Sequence, residues 1–382
     1  MNESENRTRA PLDTSCRHSY FLVMPKLAAA ILLVGLMGCG GGSAPAPASP
    51  SPAPSVTPPS AVDGWRLQES SPASPANRRH DDLAFLDEQT GWLVNTRGEV
   101  YATTDGGMRW DRLAQLPGDV FPRCVGFAST GLGWLGNINL TNSPQPDMAL
   151  FETRDGGRTW SNISSRIAGA PVVGLCGMRV LSPSVVVAVG RWSGPAVFVK
   201  TVDGGRTWTS HGLDALTGGL VDVAFLDDRA GFAVGGFGDG SSEAQQRTSK
   251  VVVLATTDGG ETWSVRYLGD RPGERGWKIH FVDASTGHVS IEGTDPVGSI
   301  LRTTDGGLTW QRKPVAAGVS FEGIGFVSPE RGWAGSGRTL YRTADGGATW
   351  QALEFAAQVN RIRVVSPRRA FASGDRVYVW QP

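Results

Sequence analysis

Thr103-Thr104-Asp105-Gly106-Gly107-Met108-Arg109-Trp110 reads as a tight turn closed by an aromatic residue, and it recurs along the chain. Further copies stand at 153–160 (TRDGGRTW), 201–208 (TVDGGRTW), 256–263 (TTDGGETW), 303–310 (TTDGGLTW) and 343–350 (TADGGATW). Successive starts are 50, 48, 55, 47 and 40 residues apart, the period of a four-stranded propeller blade. Asp-Gly supplies the positive φ angles of a tight hairpin, and glycine does so without a Cβ clash. The Asp carboxylate can accept the turn's own amide hydrogens, and the Trp can seal the hairpin by packing over it. Asp105, Asp155, Asp203, Asp258, Asp305 and Asp345, with Trp110, Trp160, Trp208, Trp263, Trp310 and Trp350, therefore read as structural residues and not as catalytic ones.

Outward from each box, a second signal keeps the same step. Phe85, Phe127, Phe225, Phe281 and Phe326 stand six residues before Gly91-Trp92, Gly133-Trp134, Gly231-Phe232, Gly287-His288 and Gly332-Trp333, and Val180 before Val186-Val187 is a degenerate copy. The first unit then reads as strand A (Asp82 to Leu86), strand B (Trp92 to Asn95), strand C (Val100 to Thr103), the box, and strand D (Arg109 to Leu113). Val359 to Val365, Ala370 to Ser373 and Arg376 to Trp380 supply three strands of a last unit without a fourth. Asp63-Gly64-Trp65-Arg66-Leu67 matches the end of a box and its strand D, and can complete that unit. The expected fold is all-β: a single seven-bladed propeller over residues 63–382, of four-stranded antiparallel blades with 3+1 closure, which pairs two otherwise exposed strand edges.

The residues before the ring have another purpose. Met24-Pro25-Lys26, the apolar run Leu27 to Leu36 and the small ending Met37-Gly38-Cys39 describe a secretory signal, too short to span a bilayer as a helix. Residues 1–23 do not resemble the start of such a signal, which makes Met24 a candidate start. Leu36-Met37-Gly38-Cys39 resembles the lipobox of bacterial lipoproteins, which implies acylation of Cys39, and Gly40 in place of Asp favours the outer membrane, facing the periplasm. Residues 40–62 are almost all Gly, Ser, Ala and Pro and read as a tether. With 36 basic and 36 acidic residues, no overall charge draws the chain to nucleic acid, and contact with a membrane is expected through the lipid alone. Cys16 lies in the leader; Cys124 and Cys176 remain in an oxidising compartment, at the start of strand A in adjacent blades, and form a possible disulfide whose register is offset by one residue.

The repeated T-x-D-G-G-x-T-W with F-x-x-x-x-x-G-W on one seven-bladed ring resembles the photosystem II stability/assembly factor-like family, over about residues 63–380. The boxes alone, known as Asp-boxes or BNR repeats, are shared with sialidases and xyloglucan-cleaving hydrolases and fix a fold, not an activity. The resemblance implies a non-enzymatic scaffold that binds a protein partner in assembly or maintenance. A carbohydrate- or cell-wall-binding module is the alternative, and a glycoside hydrolase a weaker one. A sialidase-like site needs three Arg, a Tyr nucleophile with a Glu, and an Asp. Beyond the leader the tyrosines are Tyr101, Tyr267, Tyr341 and Tyr378, and Tyr101 and Tyr341 hold equivalent repeat positions that suit packing. Xyloglucanases of this kind use two propellers, and this chain has room for one. No cofactor or metal is expected: His80, His211, His280 and His288 are scattered, and Gly235-Gly236-Phe237-Gly238-Asp239-Gly240 lacks the following helix of a phosphate loop.

Alternating strand direction puts the A–B turns and the boxes on one face, and the D–A links and B–C loops on the other. The second face varies in length, with insertions at 136–148 and 235–250, and such loops are where binding usually sits. Strand A starts there, so Asp82, Arg123, Asp222, Trp277, Lys278 and Arg361, with Arg179 and Arg363, are expected around the mouth of the central channel. Arg123, Arg179, Lys278, Arg361 and Arg363 are the candidate contacts for a carboxylate-bearing partner. The alternative reading is a solvated mouth balanced by its own carboxylates.

Overall fold

A computed structural model describes residues 61–139, 148–238 and 247–382. The leader with Cys16 and Cys39, the tether up to residue 60, and the inner parts of the two long B–C loops lie outside the described residues.

Seven sheets form the ring, each blade taking four consecutive strands or, in the last, strands from both ends. The first blade consists of His80–Phe85, Gly91–Asn95, Glu99–Thr103 and Asp111–Gln115. Strand D begins two residues later than the sequence suggests because the box holds the chain through Trp110: Asp105 Oδ1 accepts the Arg109 N–H at 2.9 Å. The last blade takes Val359–Ser366, Arg369–Gly374 and Val377–Trp380, and Trp65–Leu67 completes it by pairing Trp65 with Trp380. This is the 3+1 closure. Ala61–Val62 adds a short strand beyond Trp65–Leu67, and Ile167–Gly169 runs parallel along the outer strand of the third blade.

Each motif residue has a contact that explains it. In the first box, Thr103 Oγ1 donates to Asp105 Oδ1 at 2.8 Å and accepts the Gly107 N–H at 2.8 Å, while Gly106 and Gly107 sit at φ of 70° and 85°. In all six boxes the amide of the first glycine donates to a carbonyl of the same blade's A–B turn, from Gly106 to Gln89 through Gly346 to Glu330. Both turns of a blade therefore share a face and are tied together. The box Trp packs edge-on against the Phe that opens the repeat, as in Phe85–Trp110 (6.2 Å) and Phe281–Trp310 (5.9 Å). The aromatic after the conserved-spacing glycine reaches across to the next blade: Trp92 stacks on Phe127 at 3.7 Å and Phe232 on Phe281 at 4.9 Å, and in the last blade Phe371, after Ala370, stacks on Phe85 of the first at 4.1 Å. The glycine is required because the Phe ring lies over it; a Cβ at Gly133 would meet the Phe127 ring at 2.6 Å. Apolar clusters accordingly lie between blades, as where Trp92, Val94 and Val100 meet Val125, Phe127, Leu135 and Phe151. Each such aromatic pair contributes about 0.5–1.5 kcal/mol beyond simple burial.

Candidate functional site

The A strands line the central channel, and a repeated irregularity decides what faces it. Register shifts interrupt strand A between His80 and Asp82, Pro122 and Cys124, Leu220 and Asp222, Gly276 and Lys278, and Val359 and Arg361. These are β-bulges at one repeat position in five blades. A bulge leaves an extra residue out of the ladder and re-aims side chains. Two consecutive residues per blade, Asp81-Asp82, Trp277-Lys278 and Asn360-Arg361 among them, thereby join the channel cluster.

The middle of the channel is a closed network of ion pairs. Asp81 receives Arg123 and Arg79, each at 2.9 Å, and the Asn360 amide at 3.0 Å. Arg361 bridges Asp82 at 3.1 Å and Asp222 at 2.9 Å; Arg363 adds to Asp82 at 2.7 Å, and Arg179 lies 3.5 Å from Asp222. Burial by itself would raise the Asp222 carboxyl, but Arg361 and Arg179 override it and hold it far below the usual carboxylate range. Burial likewise opposes the charge on Arg361, and Asp222 and Asp82 reverse that, raising its pKa.

This corrects the expectation of a solvated ring. Arg123, Lys278 and Arg361 are 5, 2 and 3% exposed, and Trp277, with the Arg123 guanidinium 5.3 Å from its ring, is buried as well. The side chains of Arg179 and Arg363 keep 22 and 19% exposure. Arg363 stands two residues after Arg361 on the same strand A and Arg179 at the equivalent repeat position, so they lie about 7 Å beyond Arg361 along the channel, at the rise of a strand. That direction leads to the box face and not to the variable one. The variable-face end carries Arg79 with Glu322 and Arg275 with Glu292, which are balanced pairs. At the opposite end Arg179 and Arg363 share Asp222 and Asp82 with Arg361, so cations outnumber carboxylates there.

Cys124 and Cys176 are both buried and free, so the possible disulfide is not formed here. The Cys124 sulfur packs towards Gly136 and Leu175, among the apolar residues between the second and third blades. Cys176, one register step away, has Arg123, Lys278 and Asp81 as its electrostatic neighbours. Among the described residues no three His, Cys, Asp or Glu gather as a metal site. His80 bonds the Pro72 carbonyl and His280 the Phe326 carbonyl, and burial lowers each to about 4, so both rings are neutral.

The variable face has a concavity that sequence reasoning missed. Ser193–Pro195 from the B–C loop of the third blade, Asp214, Ala215, Thr217 and Gly218 from the following link, and Phe237 with Gly238 line a groove of about 430 Å³. Phe237 is 43% exposed. Its apolar ring ahead of a glycine-rich insertion was the available signal.

The family profile "Photosynthesis system II assembly factor YCF48" matches residues 65–174. The "Photosystem II assembly lipoprotein Ycf48" of Synechococcus sp. is 26% identical over 329 residues, covering 81% of this chain and 80% of its own. The protein of that name from Prochlorococcus marinus is 25% identical over 281 residues, 65% of this chain and 79% of its own. A solved structure, "YCF48 bound to D1 peptide", superposes at a TM-score of 0.61 with 18% identity, covering 85% of this chain and 99% of its own. That of YCF48 from Cyanidioschyzon merolae gives 0.60 with 22%, covering 83 and 98%. A streptogramin B lyase gives 0.58 at 11%, covering 82 and 97%. At such identities the solved structures speak for the fold alone. With the paired boxes and G-W elements, the seven-bladed ring and these sequence relatives in agreement, the chain is a seven-bladed β-propeller that is similar to the photosystem II assembly factors.

Proposed function

We propose that this protein is a non-catalytic envelope lipoprotein that holds a segment of a protein partner on the variable face of its ring. The observation that carries this reading is the contrast between faces: six boxes are tied to their A–B turns on one, while the other offers the groove beside Phe237. The similarities support it, since the sequence relatives are named assembly lipoproteins and one solved structure of the fold holds a peptide. Cys39 is the proposed site of acylation, with the outer membrane as location and the residues up to 60 as tether. Of the basic set, Arg123, Lys278 and Arg361 are too buried to touch a macromolecule, and Arg179 and Arg363 face the other end of the channel. The partner's contacts are therefore the aromatic ring of Phe237 and the loop backbone around it.

The test is crosslinking and capture from the native envelope with Phe237→Asp beside the parent. Loss of the parent's crosslinked partner, with the thermal transition retained, supports the groove. An unchanged partner set refutes it. Turnover of sialosides or xyloglucan by the parent would overturn the non-catalytic reading.

A further inference from the structure

The box-face end of the channel holds a cavity of about 240 Å³ lined by Arg179, Lys278, Arg361, Arg363, His280 and apolar residues of the A strands, with no carboxylate in its wall. It exists because the layer containing Arg179, His280 and Arg363 has Ala84, Gly126, Ala224 and Gly325 at the equivalent positions of the other four blades. Four cations line it, and Asp82 and Asp222 behind them are the carboxylates that pair with them. Two positive charges are left over. One is located: the Lys278 ammonium, on a side chain almost wholly buried, has no hydrogen-bond or ion-pair partner among the described residues. Burial, and then Arg361, lower its pKa to about 8, and the same causes lower Arg363 to about 9. An unpaired buried cation is costly unless something compensates it.

We infer that this end of the channel binds a small, doubly charged oxyanion of the phosphate or sulfate class. The excess charge matches two negative charges, and the cavity has room for a tetrahedral anion with water. Arg179 and Arg363 form the entrance, with Lys278 at the inner end as a point charge; the planar guanidinium forks suit oxyanion edges. His280 is neutral and spends Nε2 on the Phe326 carbonyl, so it neither adds to nor opposes the charge. The site is separate from the groove at Phe237.

The intact protein is titrated calorimetrically with inorganic phosphate, sulfate, acetate and chloride at matched ionic strength. Phosphate and sulfate should bind saturably at one per chain, with acetate and chloride weaker on the order of tenfold or more, the worth of one charged hydrogen bond. Lys278→Met should lose affinity for phosphate by a similar factor, yet unfold no earlier than the parent in phosphate-free buffer. Arg179→Gln, at the more exposed entrance, provides the second variant and should also weaken phosphate. Phe237→Asp should leave phosphate binding intact, which separates this site from the docking groove. Absence of saturable binding, equal binding of acetate or chloride, or full phosphate affinity in both Lys278→Met and Arg179→Gln would overturn the inference.

Discussion

Gly133→Ala should destabilise the ring although it adds only one methyl group. Gly133 does not occupy a left-handed φ, so steric contact alone is at issue. The new Cβ would stand 2.6 Å from Cδ1 and Cε1 of Phe127, whereas carbon atoms rest at about 3.5 Å or more. The ring must retreat by about 1 Å. Its other side is occupied by Trp92, stacked at 3.7 Å and 6°, and its edge by Trp160 at 6.1 Å. Overpacking of this kind costs about 1–3 kcal/mol, and disturbing the stack adds about 0.5–1.5 kcal/mol. Against this, replacing glycine stiffens the unfolded chain and returns about 0.4–1 kcal/mol. The net expectation is a loss of about 1–3 kcal/mol, measured by urea unfolding followed through tryptophan fluorescence. Phe127→Leu should relieve the contact, so the double variant should be more stable than the two single losses predict, by about 1 kcal/mol. A Gly133→Ala protein as stable as the parent, or strictly additive losses, would refute the account of why the G-W glycine is there.

Arg361→Met removes the shared partner of two buried carboxylates and should cost about 3–5 kcal/mol in the same assay; a loss below 1 kcal/mol would mean that the network does not support the ring. Trp208→Ala, fully buried against Trp134 at 6.1 Å, should cost about 3–5 kcal/mol, while the exposed Val202→Ala in the same box should fall within about 0.5 kcal/mol of the parent. In the boxes, hydrogen bonds from Thr159 and Thr207 hold Asp155 and Asp203 at about 2, against an ordinary 3.8. Each binds its proton less readily when folded, so unfolding takes up protons: stability from these turns is intact above about pH 4 and falls as the pH drops towards 2. An acid titration of the unfolding midpoint checks this, and a flat profile from pH 4 to 2 contradicts it. Thiol titration should find Cys124 and Cys176 unreactive in the native protein and both reactive after denaturation without reductant; no reactive thiol after denaturation would show a disulfide.

The ring was legible because its key contacts are written at fixed spacings. Phe, Gly and Trp of one repeat touch each other, and the following aromatic touches the next repeat, so the same residues announce both the blade and its neighbour. The channel was not legible in the same way. A period-two reading sends alternate residues inward, but the bulges turn Asp81 and Asp82, or Asn360 and Arg361, into one cluster. Nor does sequence reveal which Asp neutralises which Arg, since Asp222 and Arg361 stand 139 residues apart. The basic set was therefore found as residues while its burial and its end of the channel were not.

The closure also has a consequence for chain connectivity. Trp65 pairs with Trp380, and the Gln381 amide donates to the Gly64 carbonyl at 3.2 Å, so the ring's first and last residues are neighbours. The blade that holds them is a seam and not a boundary. A permuted chain, joined across this seam by a few glycines and reopened in the link after Leu268, would keep every sheet and every aromatic stack between blades. Where translation starts is thus a choice that the architecture leaves open, and the seam's position governs which blade would come apart first when the ends are pulled.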